Sequence, residues 1–315
     1  MKKTFVKELT SGESIEEQFV VLEKTLEKAK TGRVYATVKL ADKTGRISGK
    51  IWDDADKKYA LFKEGDIVLV KGKTSVYKGV LEIHIDSITP CSEGDYDVSD
   101  FLRESEKDRK EMFEEILDLI NSVENQFLKT LLKNIFRDPH IKQGMLTAPG
   151  SVNVHHAYVG GLAEHTLNVA KICDTMTELY PQLDRDLLVC GALLHDIGKI
   201  EEYEVSGRMK QTNEGRLIGH IAIGVMFVRK EIEKIKDFPH ELEVSLIHLI
   251  LSHHGEYEFG SPKLPQTAEA AALAYADLLD SKVESFLDAI NGTTEEWSRY
   301  IPTLNRRIYT GKKED

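Results

Sequence analysis

Residues 186–199 read DLLVCGALLHDIGK. Leu187, Leu188, Cys190, Gly191 and Leu194, with the residues between them, leave almost no polar face, so a buried helix central to its domain is expected here. The helix ends in His195 and Asp196, two neighbouring metal-competent side chains, with Gly198 as the breaker and Lys199 just beyond. A carboxylate at the end of an apolar helix costs on the order of several kcal/mol unless a cation or a metal neutralises it. The other histidines point to a metal.

Outward from this helix, the histidines crowd the region between His140 and His254. Helical spacing predicts further helices over 162–179, 217–233, 241–253 and 267–289. His165 falls inside the first, His220 near the start of the second, and His253 and His254 at the end of the third, before Gly255. Asp277 lies within the fourth. Each sits beside apolar residues at helical spacing, as Leu162, Leu167 and Val169 do around His165. Taken singly, each histidine is an ordinary core or surface residue. The ordered set His, His-Asp, His, His-His, Asp is different, because metal sites need several ligands oriented from rigid elements.

Cys91, Cys173 and Cys190 are widely spaced and form no CxxC. They exclude a disulfide framework and a thiolate zinc site, and fit a reducing cytoplasm. Any metal is therefore held by imidazole and carboxylate, which suits Mn²⁺, Fe²⁺, Co²⁺, Ni²⁺ or Zn²⁺ without choosing among them; Mn²⁺ is the favoured expectation and Mg²⁺ is also admitted. The candidate ligands outnumber what one tetrahedral ion takes, so two ions are expected.

The N-terminal part has another rhythm. Short runs rich in Val, Ile, Tyr and Thr over 18–22, 33–40, 46–52, 66–73 and 80–88 are separated by turn signals. Leu81, Ile83 and Ile85 alternate with Glu82, His84 and Asp86, as one solvated sheet face requires. Five strands in so short a span predict a small β-barrel, an OB-fold, within residues 1–95. Lys28, Lys30, Arg33, Tyr35, Lys39, Arg46, Lys50, Trp52, Lys73, Tyr77 and Lys78 supply cations and aromatics for single-stranded nucleic acid. Core packing is the equal alternative for Tyr35 and Trp52.

Residues 96–315 read as helix throughout, with a first helix near Phe101 capped by Asp100 or Ser99 and another over 126–136 closed by Asp138-Pro139. A loop carrying His155 and His156 is expected from Gly144 to Gly161. The fold class is thus multidomain: a small β-barrel followed by an all-α domain. The net charge of −11 is unevenly spread, since residues 1–90 carry 17 Lys+Arg against 14 Asp+Glu and the remainder 25 against 39. A mildly basic module beside an acidic body suits a polyanion at one end and cations at the other. No apolar run approaches the roughly twenty residues of a membrane span, and the N-terminus lacks a signal-peptide core, so no membrane partner is expected.

The order His165, His195-Asp196, Asp277 resembles the HD superfamily of metal-dependent phosphohydrolases. The fuller stretches HHAYVGGLAEHT, GRLIGHIAIG, LILSHHGEYEFGSPKLP and ADLLDSK resemble the YhaM group of bacterial 3′→5′ exoribonucleases, whose members carry an OB-type module before the HD domain. The resemblance implies a metal-dependent exonuclease acting on single-stranded RNA, with single-stranded DNA admitted, and releasing nucleoside monophosphates. Carried over by position, His165, His195, Asp196 and Asp277 would hold one ion and His220, His253 and His254 a second, with Asp196 bridging. Such a pair activates water against a phosphodiester. Lys199 would neutralise the scissile phosphate or the leaving oxygen, or else complement a helix dipole. His155, His156, Tyr158 and Lys263 are expected to contact substrate. Two other readings stay open: a phosphohydrolase of free nucleotides or cyclic dinucleotides, with the barrel as a homo-oligomer contact, and a non-catalytic nucleic-acid-binding regulator.

Overall fold

The computed structural model describes the chain apart from residues 1, 30–31, 78, 93, 98–99, 103–104, 106, 152–157, 206–208, 292, 294 and 313–315. It divides into two compact units, Met1–Glu104 with Val205–Met209 and Ser105–Glu204 with Lys210–Asp315.

In the first unit, strands β1 (Ser14–Lys28), β2 (Val34–Asp42), β3 (Gly45–Ile51), β4 (Ile67–Tyr77) and β5 (Val80–Pro90) close a barrel in the order β1-β2-β3-β5-β4. The β3–β5 pair is parallel, with Gly49 opposite Ile83. A short helix, α1 (Ala55–Tyr59), joins β3 to β4. Alternation sends Ile83 and Ile85 inward with Phe19, Val38, Leu40 and Val70, while His84 and Asp86 stay in solvent. β1 is far longer than its apolar run because it pairs twice: its first half with β4 and its second half with β2, across an irregularity at Val21/Glu23. Ladder hydrogen bonds carry the strand through residues whose own propensity is indifferent.

The second unit is helical: α2 (Arg109–Ser122), α3 (Gln126–Arg137), α4 (Pro139–Thr147), α5 (Gly161–Leu179), α6 (Arg185–Leu194), α7 (Lys199–Glu202), α8 (Asn213–Leu217), α9 (His220–Ile232), α10 (His240–Ser252) and α11 (Ala268–Asn291). A small hairpin of β6 (Tyr203–Val205) and β7 (Met209–Gln211) follows α7. No helix among the described residues is long and apolar enough to cross a membrane.

Two expectations are corrected here. Phe101 starts no helix; it packs with Val20, Ala41 and Ile67 in a small cluster of the first unit. The helix begins at Arg109, where the Asp108 carboxylate accepts from the amides of Lys110 and Glu111. Ser99 lies outside the described residues. Asp138-Pro139 does close the 126–136 helix, and Pro139 also opens a further helix, α4, because proline has no amide to lose at the first helical position. Asp138 ends α3 and caps α4, and the loop starts only after Thr147.

Every residue from Leu187 to Leu194 in α6 is buried. Gly191 permits this crowding, since a Cβ there would stand 2.5 Å from Leu249 Cδ2 of α10. The apolar helix is held at its start: Asp184 caps it, and Asp186 accepts the Glu124 and Asn125 amides at the start of α3.

Candidate metal centre

The end of α6, the first turns of α5 and α9, the end of α10 and the middle of α11 bring their polar side chains to one place. His165 Nε2 lies 3.2 Å from His195 Nε2 and 3.1 Å from Asp277 Oδ1. These three form one group of mutually close donors, and His220, His253 and His254 form another. Asp196 stands against both. Its Oδ2 is 3.4 Å from His165 Nε2 and 3.3 Å from His195 Nε2, while its Oδ1 is 3.5 Å from His220 Nε2 and 3.6 Å from His253 Nε2.

The second nitrogen of each ring fixes what the first can do. Nδ1 of His195, His253 and His254 donates to the carbonyls of Ala192, Ile250 and Phe259 at 2.7, 2.8 and 2.9 Å. A carbonyl only accepts, so the proton sits on Nδ1 and Nε2 of the neutral ring presents a lone pair. His165 Nδ1 donates to Asp280 Oδ2 at 2.7 Å and His220 Nδ1 to Glu202 Oε2 at 2.6 Å. All five histidines therefore turn Nε2 toward the same space. Asp196 Oδ1, His220 Nε2 and His253 Nε2 are buried and find no hydrogen-bond partner among the described residues. Orphaned acceptors of this kind cost about 1–3 kcal/mol each unless something electropositive joins them. A donor set of imidazole and carboxylate without thiolate fits divalent cations.

Charge follows the same logic. Burial pushes the Asp196 carboxyl up, yet the Lys199 ammonium and the His195 and His165 rings outweigh it and hold Asp196 well below the usual carboxylate range. Asp277 is likewise depressed, burial being overcome by His165. Burial, with His253 beside it, pushes His254 down to about 4, so this ring is neutral and free to ligate at physiological pH. His165 is driven the other way: Asp196, Asp277 and Asp280 outweigh its burial and raise it well above the ordinary imidazole value. That environment asks for positive charge at Nε2, which a proton or a bound cation supplies.

Lys199, 7 % exposed, donates to Asp196 Oδ2 at 2.5 Å. It opens α7 rather than closing α6, so dipole complementation at a helix C-terminus does not account for it. Gly198 does not break the chain direction by special backbone angles, for its φ is −67°. It is needed for contact: a Cβ would lie 2.1 Å from the His220 carbonyl oxygen, so only glycine lets α9 approach the His195-Asp196 turn. A cavity of about 320 Å³ opens onto Asp196, Lys199, His220, His254 and Asp277.

Three supporting residues escape a sequence reading. Asp280 holds His165 and also accepts from Asn168 at 3.0 Å. Glu202 accepts from the amide and ring of His220 and from Gln211. Glu164 gathers Ser105, Lys107 and Tyr158. Asp280 has a signal, lying three residues after Asp277 on α11; Glu202 has none, because a turn and a hairpin separate it from His220.

Of the expected substrate contacts, Tyr158 is 4 % exposed and donates its hydroxyl to Glu164 at 2.9 Å. Lys263 is exposed on the loop following Ser261. His155 and His156 lie outside the described residues, as do Lys30 and Lys78. In the barrel unit, Tyr35 and Trp52 stack at 4.7 Å between ring centroids, both partly exposed and outside the barrel core. The Lys50 ammonium lies 6.0 Å from each ring and 5.0 Å from Tyr77. Arg33 pairs with Asp53 and Lys39 with Glu23, so part of the basic surface is neutralised.

Comparison with known proteins agrees with both units. The family model of the HD domain matches residues 162–282, and that of an OB-fold nucleic acid binding domain matches residues 20–91. A Geobacillus sp. (strain WCH70) protein named 3′-5′ exoribonuclease YhaM is 35 % identical over 300 residues, covering 95 % of this chain and 92 % of that one. A Bacillus subtilis (strain 168) protein of the same name is 33 % identical over 301 residues, covering 95 % of each.

Proposed function

Since the chain belongs to the YhaM family of 3′-5′ exoribonucleases, we propose that it removes nucleotides one at a time from the 3′ end of single-stranded RNA. His165, His195, Asp196 and Asp277 would hold one divalent ion, and His220, His253 and His254, with Asp196 between the two groups, would hold a second. The observation that carries this reading is Asp196 itself, with one oxygen turned to each histidine group. Ions bound there would supply Lewis-acid chemistry toward water and phosphate. Mn²⁺ is the ion we favour for this mixed donor set.

The chain's own residues do the rest. The Nδ1 anchors keep every imidazole in the tautomer that ligates and prevent ring rotation. Lys199, held beside Asp196, places a buried ammonium where the leaving oxygen gains charge. On the barrel, Tyr35 and Trp52 offer stacking faces to bases, with Arg33 and Lys50 exchanging their Asp53 and Glu82 partners for backbone phosphates.

The test uses the full chain with Mn²⁺ and single-stranded RNA labelled at one end or the other. A 3′ label should appear at once as mononucleotide, while a 5′-labelled strand shortens stepwise. Hydrolysis of free nucleotides alone, or RNA binding without hydrolysis, would overturn the reading.

A further inference from the structure

The stretch ADLLDSK, residues 276–282, gives Asp277 to the metal centre and Asp280 to His165, leaving Ser281 and Lys282 without a role. Both line the cavity that opens from the metal centre, together with Leu278, Ser285, Thr303 and Leu304. Asp277, Ser281 and Ser285 recur every four residues and so share one face of α11. At 1.5 Å per residue this face runs about 12 Å from the ligand Asp277, long enough for one nucleotide. Thr303 and Leu304 form another part of the wall, in a short 3₁₀ turn over Pro302–Leu304. That turn sits in a loop latched by the bridges Trp297–Tyr309 and Ile301–Arg306.

The hydroxyls are set to accept. Ser285 donates its proton to the Ser281 carbonyl at 2.7 Å, and Ser281 faces Asp277 Oδ1 at 3.5 Å. Each serine oxygen keeps a lone pair for a donor from outside. Lys282 is exposed and pairs with no carboxylate among the described residues, although Asp196 and Asp277 make the cavity acidic. An unpaired cation on an acidic wall suits an anionic ligand. Leu278 and Leu304 add apolar surface.

Resting on the exoribonuclease reading, we propose that this wall of α11 is the subsite for the 3′-terminal ribonucleotide. Lys282 contacts its phosphate, and Ser281 and Ser285 accept hydrogen bonds from its ribose hydroxyls. The same contacts make the enzyme prefer RNA ends to DNA ends, since a deoxyribose lacks one of the donors.

The experiment is calorimetric binding of AMP and of 2′,3′-dideoxy-AMP to the full chain loaded with Mn²⁺. The unaltered protein should bind AMP about tenfold more tightly than the dideoxy analogue. The double variant Ser281→Ala/Ser285→Ala should erase that preference. Lys282→Gln should weaken both ligands about tenfold, and Lys282→Arg should restore most of the loss. Circular dichroism and Mn²⁺ content identify any variant that has misfolded, and in that case the single variants Ser281→Ala and Ser285→Ala, or Lys282→Met, give the same comparison. A preference that survives in the double serine variant, or a Lys282→Gln protein that binds like the original, overturns the subsite. Failure of the unaltered protein to cut RNA while the AMP preference holds would instead sink the nuclease reading and leave the nucleotide site standing.

Discussion

A histidine makes a good ligand when its second nitrogen is held, and here two of the five anchors are carboxylates. Glu202 holds His220, and Asp280 holds His165. Removing either charge should weaken one ion and spare the other. Glu202→Gln is expected to reduce affinity for the ion of the His220 group about 10–100-fold, and Asp280→Asn to do the same for the His165 group. Mn²⁺ titration with two resolved affinities measures this; equal loss at both sites, or no loss, contradicts it. The ligands themselves were legible because imidazoles and an aspartate interrupt apolar helices where burial would otherwise penalise them. Asp280 and Glu202 were not, since a lone acidic residue on a helix reads the same whether it faces solvent or a ring nitrogen. Tyr158 shows the converse: beside His155 and His156 in sequence it reads as a substrate contact, yet its hydroxyl goes to Glu164.

Elements were legible where the pattern was local and hidden where a neighbour supplied the reason. α6 announces itself by an apolar run closed by His-Asp. Gly198 reads as a helix breaker, but what it provides is the space through which α9 reaches the HD turn. Gly198→Ala should therefore cost about 1–3 kcal/mol by overpacking and push His220 away from Asp196. Metal content should drop from two ions toward one while helicity is retained; two ions bound with unchanged affinity would refute this role. α4 escaped because Pro139 carries the same letter as a stop and as a start. Two further side chains give these helices a pH signature. Burial pushes the Cys173 thiol up to about 12 and raises Cys190 as well. Unfolded thiols ionise near 8.5, so both contribute stability that is complete below that pH and fades as pH rises toward the folded values. Each buried thiol adds a slope of up to about 1.4 kcal/mol per pH unit. In denaturant titrations from pH 8 to 11, Cys173→Ala/Cys190→Ala should flatten that decline, and an unchanged slope would count against it.

At the scale of the whole molecule, two rhythms of hydrophobicity separate two units, each with its own core. Alternation in β5 and the 3.6-residue period in the helices were enough to foresee a barrel followed by helices. The strand order β1-β2-β3-β5-β4 with its parallel β3–β5 pair was not readable residue by residue, because register is set between strands distant in sequence. On the proposed function, the barrel unit holds RNA and the helical unit cuts it. Tyr35→Ala with Trp52→Ala should raise KM for long single-stranded RNA at least about tenfold and leave kcat on a trinucleotide unchanged; a fall in kcat on the trinucleotide would tie the barrel to the chemistry. All of this depends on one centre in which Asp196 joins two ions. Electron paramagnetic resonance of the full chain titrated with Mn²⁺ tests that most directly. Two ions per chain should bind and give an exchange-coupled signal that Asp196→Asn converts to isolated Mn²⁺. A single ion, or two uncoupled ones in the unaltered protein, would contradict it.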